Sequence, residues 1–383
     1  MKAQGKNKKL RIAMLGHKRV PSREGGVEIV VGELAERMAK LGHDVTCYNR
    51  RGHHVSGEEF DGEALTDYNG VRIKSVFTVQ KGGLAAVSSS VFAALKVAFG
   101  KYDVVHFHAE GPCAMLWIPK LLGKKCIATI HGLDHQRAKW GGFASRYILF
   151  GEKCAAKFAD EVIVLSESVQ SYFRNTYGRE TVFIPNGVSL PENKEATQIT
   201  EKFGLCKNSY ILYLGRLVPE KGISYLVEAY KSVKTDKKLV IAGGSSDTAD
   251  FESELKAVAA DDERIIFTGF VQGRMLEELY SNAYLYVLPS DLEGMPLSLM
   301  EAMSYGNCCL TSDIPECSQV TGEYGFTFRK SDTEDLINKL QLLCDNSDKV
   351  NKARETSSEY ICKKYSWDDV VNQTLKLYCK PQI

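Results

Sequence analysis

Apolar positions along the chain fall into short runs separated by stretches of helical period. The runs at 10–16, 44–48, 71–76, 103–107, 125–130 and 161–165 have strand length. Between them, 27–41 and 143–158 repeat apolar residues every three to four positions. Strands alternating with helices predict βαβ units and a parallel sheet covered on both faces. The alternation pauses at FIPNGVSLPENKEA, where Pro185, Asn186-Gly187, Pro191 and a polar run carry turn and linker chemistry.

The pattern then restarts. Strands predicted at 210–215, 238–243, 264–270, 284–289 and 308–312 alternate with helices at 223–233, 250–260, 275–283 and 296–305. Three more helices follow at 333–344, 349–365 and 367–378. Ser366 suits the N-cap of the last, with Asp368 and Asp369 in its first turn. The reading is two successive α/β domains, 1–188 and 189–365, followed by a terminal helix, 366–383. Ligands bind beyond the carboxyl ends of strands in open parallel sheets. Two such domains facing each other would enclose a substrate cleft.

Composition mainly excludes. Of 383 residues, 44% are apolar and 25% charged, and the 10 Pro and 32 Gly are dispersed, so collagen-like and low-complexity classes fall away. A net charge of +1 excludes a strongly basic nucleic-acid binder. That total hides a split at Val188. The first part holds 27 Lys+Arg against 18 Asp+Glu and the remainder 22 against 30, so +9 stands beside −8. The 11 Cys form no paired CxxC clusters. Cys308-Cys309 lies in an apolar run and Cys126 in KKCIATIHG, as expected for buried, reduced thiols in a cytosolic protein. The N-terminal stretch lacks a signal-peptide core, and no run approaches the roughly 18 apolar residues of a membrane span. The segment LAAVSSSVFAALKVAF (84–99) reads first as a core-packing helix, with lipid contact as the alternative. The expected location is the cytoplasm.

Three stretches carry candidate chemistry. In SREGGVE (22–28), Gly25 and Gly26 precede a helix whose first amides could receive a phosphate; a plain tight turn is the other reading. In GRLVPEKGI (215–223), Arg216 and Lys221 lie between a strand end and a helix. A guanidinium fork and an ammonium point charge there fit a diphosphate, and a solvated basic turn is the alternative. In EGMPLSLME (293–301), Pro296 suits a first helical turn, with Glu293 at the helix mouth and Glu301 one to two turns in. Two carboxylates suit the hydroxyls of sugar rings, or serve as helix-start acids. GxGxxG and the Walker P-loop are both absent.

Taken together with HxH at His106–His108, His131-Gly132, IPNGV (184–188) and FTGFV (267–271), these stretches resemble the retaining glycosyltransferases of family 4, with the GT-B architecture. The resemblance covers nearly the whole chain. HGLDHQRAKWGGFASRY and YGRETVFIPNGV also look like the rhamnosyltransferase-like transferases of bacterial polysaccharides.

The resemblance implies two Rossmann-like domains, with the terminal helix packing back on the first. It implies that Arg216 and Lys221 hold the donor diphosphate, Glu301 the ribose, and Glu293 the donor sugar. Gly294, Met295, Pro296 and Leu297 would line the donor between those glutamates. Phe270 and Val271 would meet the base through main-chain atoms, and Gly25 and Gly26 would approach the diphosphate or sugar. His131 would sit beside the forming oxocarbenium ion. Asp134, Arg137, Lys139 and Trp140, which follow it, are acceptor-side candidates or a solvated loop. Glu28 could reach the site or simply occupy the first helical turn.

No cofactor is implied, only a nucleotide-diphosphate sugar as donor. The acceptor would be a saccharide, free or linked to a polyprenyl diphosphate, with the basic half meeting the anionic inner face of the cell membrane. His106/His108 and His131/His135 have metal-ligand spacing, but the first pair ends a buried strand and the family works without bound metal. An epimerase, a phosphorylase, a non-catalytic sugar-binding subunit and a nicotinamide dehydrogenase remain the competing readings. The last lacks its GxGxxG, and a phosphorylase would need a longer chain with a cofactor lysine.

Overall fold

A computed structural model describes residues 9–52, 65–81, 83–136, 142–244 and 249–380. They form two compact units. The first joins the chain up to Pro185 to the stretch from Trp367 onward; the second spans Asn186–Ser366.

The first unit holds β1 (Arg11–Leu15), β2 (Asp44–Arg50), β3 (Asp67–Tyr68), β4 (Val71–Val76), β5 (Val104–His108), β6 (Lys125–Ile130), β7 (Glu161–Val164) and β8 (Val182–Phe183). Their order is β3-β4-β2-β1-β5-β6-β7-β8, parallel throughout except for the β3–β4 pair. β5 (VVHFH) and β6 (KCIATI) are buried along their whole length, so neither alternates buried with solvent-facing positions, and the polar residues within them, His106, His108, Lys125 and Thr129, are buried too. Successive strands step away from β1 in one direction and from β5 in the other, so a topological switch point lies between them. Helices α1 (Gly26–Lys40) and α2 (Leu84–Ala98) follow β1 and β4.

The helix Trp367–Cys379 packs within this unit and buries Trp367, Val370, Val371, Leu377 and Tyr378. Lys125 Nζ donates to the carbonyls of Leu377 (2.7 Å) and Tyr378 (3.0 Å), placing a cation where the helix leaves carbonyls without intrahelical donors. Ser366, just before it, forms an isolated bridge with Val188.

The second unit holds β9 (Tyr210–Leu214), β10 (Lys238–Ala242), β11 (Ile265–Gly269), β12 (Leu285–Leu288), β13 (Cys309–Ser312) and β14 (Phe326–Phe328). All pair in parallel in the order β11-β10-β9-β12-β13-β14, with the switch point between β9 and β12.

Three differences from the sequence reading have physical causes. β3, β8 and β14 are two or three residues long, too short to show a period. α2 forms as expected but turns its small residues inward. Ser89, Ser90, Ala93, Ala94, Val97 and Ala98 are buried, while Leu84, Phe92 and Leu95 are 54%, 40% and 39% exposed. Only the small face fits close to the sheet, so the plain core-packing reading of 84–99 is half right. Pro296 is the N-cap of the helix Leu297–Ser304 rather than part of its first turn. Its carbonyl accepts from Met300 N at 3.2 Å, with an extended ψ of 94°. Among the described residues no helix is long and apolar enough to cross a membrane. All eleven cysteines are unpaired, and seven of them, Cys126, Cys308 and Cys309 included, are buried.

Candidate active site

Glycines build the carboxyl rim of the second sheet. A Cβ on Gly243 (φ +142°) would stand 1.9 Å from the carbonyl oxygen of Gly215, so the ends of β9 and β10 meet only because neither carries a side chain there. Gly243 N donates to Gly269 O at 2.9 Å, tying in the end of β11, after which come Phe270 and the buried Val271. Across the switch point, a Cβ on Gly222 (φ +65°) would stand 2.1 Å from Pro289 O. That approach lays the turn Pro219–Lys221 against the end of β12.

The approach brings two residues 72 positions apart into contact. Lys221 Nζ lies 2.5 Å from Glu293 Oε1, with the side chains 13% and 8% exposed. Ser290 Oγ donates to the same oxygen at 2.7 Å. Beneath them the buried Tyr213 hydroxyl donates to Arg216 O at 3.0 Å. Burial, then the Glu293 carboxylate, push the Tyr213 phenol well up, while Arg216 opposes them. Arg216, Lys221 and Glu293 therefore share one rim at a switch point, the place where open α/β sheets bind ligands.

The remaining predicted residues of this unit gather nearby in the chain. Glu301, in the helix Leu297–Ser304, accepts from Tyr280 OH at 3.2 Å. Asn186 N donates to Met295 Sδ at 3.0 Å, pinning the loop of Gly294 and Met295 to the IPNGV segment. Leu297 is buried at the helix start.

The first unit repeats this device. A Cβ on Gly16 (φ +110°), after β1, would stand 2.1 Å from the carbonyl of His108 at the end of β5. Gly25 caps α1 in an extended conformation and Gly26 opens the helix. A Cβ on Gly25 would meet Glu28 Oε2 at 2.5 Å. Glu28 sits in the first turn of α1, and its Oε1 accepts from Lys18 N, in the loop after β1, at 2.8 Å.

His106 and His108 are both fully buried. His106 bonds Tyr378 OH through Nδ1 (2.6 Å) and Thr129 Oγ1 through Nε2 (2.7 Å). His108 Nδ1 lies 3.2 Å from Nε2 of the part-exposed His131, and its own Nε2 has no partner among the described residues. The three rings form a file, with centroids 4.1 Å and 5.4 Å apart. Burial pushes His106 down to about 3 and His17 to about 4, and holds His108 well below its ordinary value, so these imidazoles are neutral.

The turn after His131 rests on two fully buried glutamates. Asp134 N donates to Glu110 Oε1 at 2.8 Å, and burial followed by Asp134 raises the Glu110 carboxyl well above its ordinary value. His135 turns to Glu152, 2.6 Å away, whose other oxygen accepts from Tyr172 and Tyr177, each at 3.0 Å. Among the described residues no group of three or more side chains is arranged to hold a metal. Arg137, Lys139 and Trp140 lie outside the described residues.

The profile of Glycosyltransferase Family 4 matches residues 24–191, and that of Glycosyl transferases group 1 matches 196–360. An uncharacterized glycosyltransferase of Methanocaldococcus jannaschii is 25% identical over 96% of the chain and 98% of its own length. A phosphatidyl-myo-inositol mannosyltransferase of Mycobacterium leprae is 27% identical, covering 92% of both chains. Among solved structures, HepE of Anabaena, in complex with UDP and glucose, superposes with a TM-score of 0.79 at 15% identity, covering 96% of this chain and 98% of that one.

The chain is a GT-B glycosyltransferase.

Several structural residues of this transferase escape a reading by sequence. Gly243 could have been found as half of a Gly-Gly pair at a strand end. Glu152 stands in an apolar stretch, YILFGEKCAAKF, and a carboxylate there signals a buried network. Tyr378 gave no signal, because its partner His106 is 272 positions away.

Proposed function

We propose that the protein is a retaining glycosyltransferase that moves a hexose or deoxyhexose from a nucleoside-diphosphate sugar to a lipid-linked saccharide in bacterial surface-polysaccharide synthesis. The observation that carries the proposal is the Lys221–Glu293 pair beside Arg216 at the second unit's switch point. Departure of a nucleoside diphosphate develops charge on phosphate oxygens, and fixed cations lower that barrier most directly. Arg216 supplies a bidentate fork and Lys221 a point charge. Glu293 receives hydroxyls of the donor sugar and Glu301 those of the ribose. Phe270 and Val271 meet the base through main-chain atoms, with the loop from Gly294 to Leu297 closing around the donor.

In the first unit, Gly25 and Gly26 offer helix-start amides to phosphate or sugar oxygens. His131 acts beside the developing oxocarbenium ion, with Asp134 on the acceptor side. The leaving phosphate takes the acceptor's proton, and no protein nucleophile is required. The mycobacterial relative's name gives it a lipid acceptor, and the Anabaena protein binds UDP and glucose, which supports this substrate class.

Thermal shift with UDP, dTDP, GDP and ADP identifies the base. NMR of the product formed from the matching sugar nucleotide then tests the stereochemistry. The anomeric configuration of the donor is expected to survive in the product; inversion would overturn the assignment.

A further inference from the structure

The second unit carries a cavity away from the candidate active site. It has a volume of about 590 Å³, within the range of ligand pockets, and is lined by residues between Leu190 and Ser358. Ser304, Tyr305 and Gly306 precede β13, and Arg354 reaches Asn208, just before β9. The cavity therefore stands at the amino ends of the strands, whereas Arg216, Lys221 and Glu293 stand at the carboxyl ends.

Arg354 is the buried charge of this lining. It projects half-buried from the helix Ser347–Lys364, and its Nη1 donates to Asn208 Oδ1 at 2.7 Å. Among the described residues no carboxylate pairs with it. Glu355, next along the helix, also lines the cavity but is exposed and makes no ion pair with the guanidinium. Burial pulls the Arg354 guanidinium below its ordinary value, opposed only by the Cys308 thiol and the hydroxyls of Tyr284 and Tyr210. A cation held partly away from water without a counter-charge is costly, and an oxyanion in the cavity offsets that cost. The N–H groups that Asn208 does not use form the fork that a carboxylate accepts bidentately.

The rest of the lining decides which oxyanion fits. One guanidinium balances one negative charge, and Glu355 repels a second, so a carboxylate suits the cavity better than a phosphate dianion. Asn193 and Asn351 present exposed carboxamides that make no side-chain hydrogen bond among the described residues. Ser358 Oγ donates to Ser304 O at 2.7 Å, which leaves its lone pairs to accept. Leu190, 74% exposed, and Pro191 add an apolar edge. A simple carboxylate such as acetate would use Arg354 alone. A sugar acid uses the whole lining, with hydroxyls for the carboxamides, Ser358 and Glu355 and a C–H face for Leu190 and Pro191.

We propose that this cavity binds a hexuronate, free or as one unit of an acidic saccharide, with its carboxylate on Arg354 and its hydroxyls on Asn193, Asn351 and Glu355. The site belongs to the second unit alone and is independent of the donor rim and of the transfer reaction.

The test titrates the full chain with sodium glucuronate, sodium galacturonate, glucose, sodium acetate and inorganic phosphate, read by saturation-transfer NMR and calorimetry. At least one hexuronate should bind about tenfold or more tightly than glucose, acetate or phosphate, since each of those meets only part of the lining. Arg354→Gln should weaken hexuronate binding at least about tenfold, the share of one charge-assisted pair. Asn193→Ala/Asn351→Ala alters only exposed side chains, so the fold is kept, and binding should weaken at least about threefold. Lys221→Ala, at the other end of the strands, should leave hexuronate binding within about twofold of the parent. Trigalacturonate distinguishes the sources: tighter binding than galacturonate is the supporting result for a unit of a saccharide chain, and equal binding that for a free sugar acid. Hexuronate binding no tighter than that of glucose overturns the proposal, as does binding unchanged in Arg354→Gln or lost in Lys221→Ala. So does inorganic phosphate that binds as tightly as the hexuronates and is lost in Arg354→Gln, which would mark a simple anion site.

Discussion

Removing one member of the Lys221–Glu293 pair separates a structural pair from a ligand-binding one. The two charges lie 2.5 Å apart and are 13% and 8% exposed. Lys221→Ala leaves a shielded carboxylate facing Ser290 without its cation. Breaking a fully buried pair from one side costs about 3–5 kcal/mol; partial access to water brings this to about 2–3 kcal/mol. For a unit of this size that lowers the thermal midpoint by about 5–10 °C. Lys221→Met/Glu293→Gln removes both charges and should recover more than half of the loss.

Nucleoside diphosphate affinity, measured by calorimetry with the base that thermal shift selects, gives the second readout. A charge-assisted bond from Lys221 contributes about 1.5–3 kcal/mol, so Lys221→Ala should weaken binding about 10–150-fold. Glu293→Gln frees the ammonium from a competing carboxylate, so diphosphate affinity should hold or rise while sugar transfer falls. If Lys221→Ala lost stability but bound diphosphate within about twofold of the parent, the pair would be structural only and the diphosphate assignment would fail.

Other predictions are independent of that pair. Gly243→Ala puts a Cβ 1.9 Å from Gly215 O at a φ that side chains rarely adopt; strain of about 1–3 kcal/mol should lower the second unit's stability and nucleotide affinity, read by urea unfolding and calorimetry. His17 and His106 have folded pKa values of about 4 and about 3, below their ordinary 6.5. Between those values the unfolded chain binds more protons, so stability is full above pH 6.5 and is lost as pH falls, first towards 4 and then 3, by up to about 1.4 kcal/mol per unit per histidine. Trp117 and Trp367 belong to the first unit and the sequence has no tryptophan within 186–366, so tryptophan fluorescence in urea follows the first unit; a midpoint unchanged between neutral and mildly acidic pH would contradict the burial argument. An unpartnered N–H costs more than an unpartnered lone pair when buried, so His108 should donate through Nδ1 to Nε2 of His131. Nitrogen-15 NMR should then find His131 protonated on Nδ1. His108→Phe should lose that tautomer and His108→Asn keep it; the same tautomer in His108→Phe would refute the assignment.

The alternation of short apolar runs with helical periods made both sheets legible, because buried parallel strands cannot avoid reading as apolar. It failed where length removed the signal, as at β3, and where side-chain size rather than polarity set the orientation, as on α2. The same division holds for the site. Arg216, Lys221, Glu293 and Glu301 were legible through the motifs that resemble the family, since by position alone a solvated basic turn and helix-start acids explain them as well. Their contacts were not. Lys221 meets Glu293 through Gly222 and Pro289, and His131 meets His108 through the pairing of β5 with β6; neither follows from spacing along the chain.

The most direct test of a sugar-nucleotide transferase is release of nucleoside diphosphate. The full chain is incubated with a panel of nucleotide sugars, with and without a lipid-linked saccharide acceptor. At least one donor should be cleaved in an acceptor-dependent way, with release falling at least about 100-fold in Lys221→Ala and in Glu293→Ala. No release from any donor whose nucleotide stabilises the protein, or release unchanged in both variants, would contradict the account.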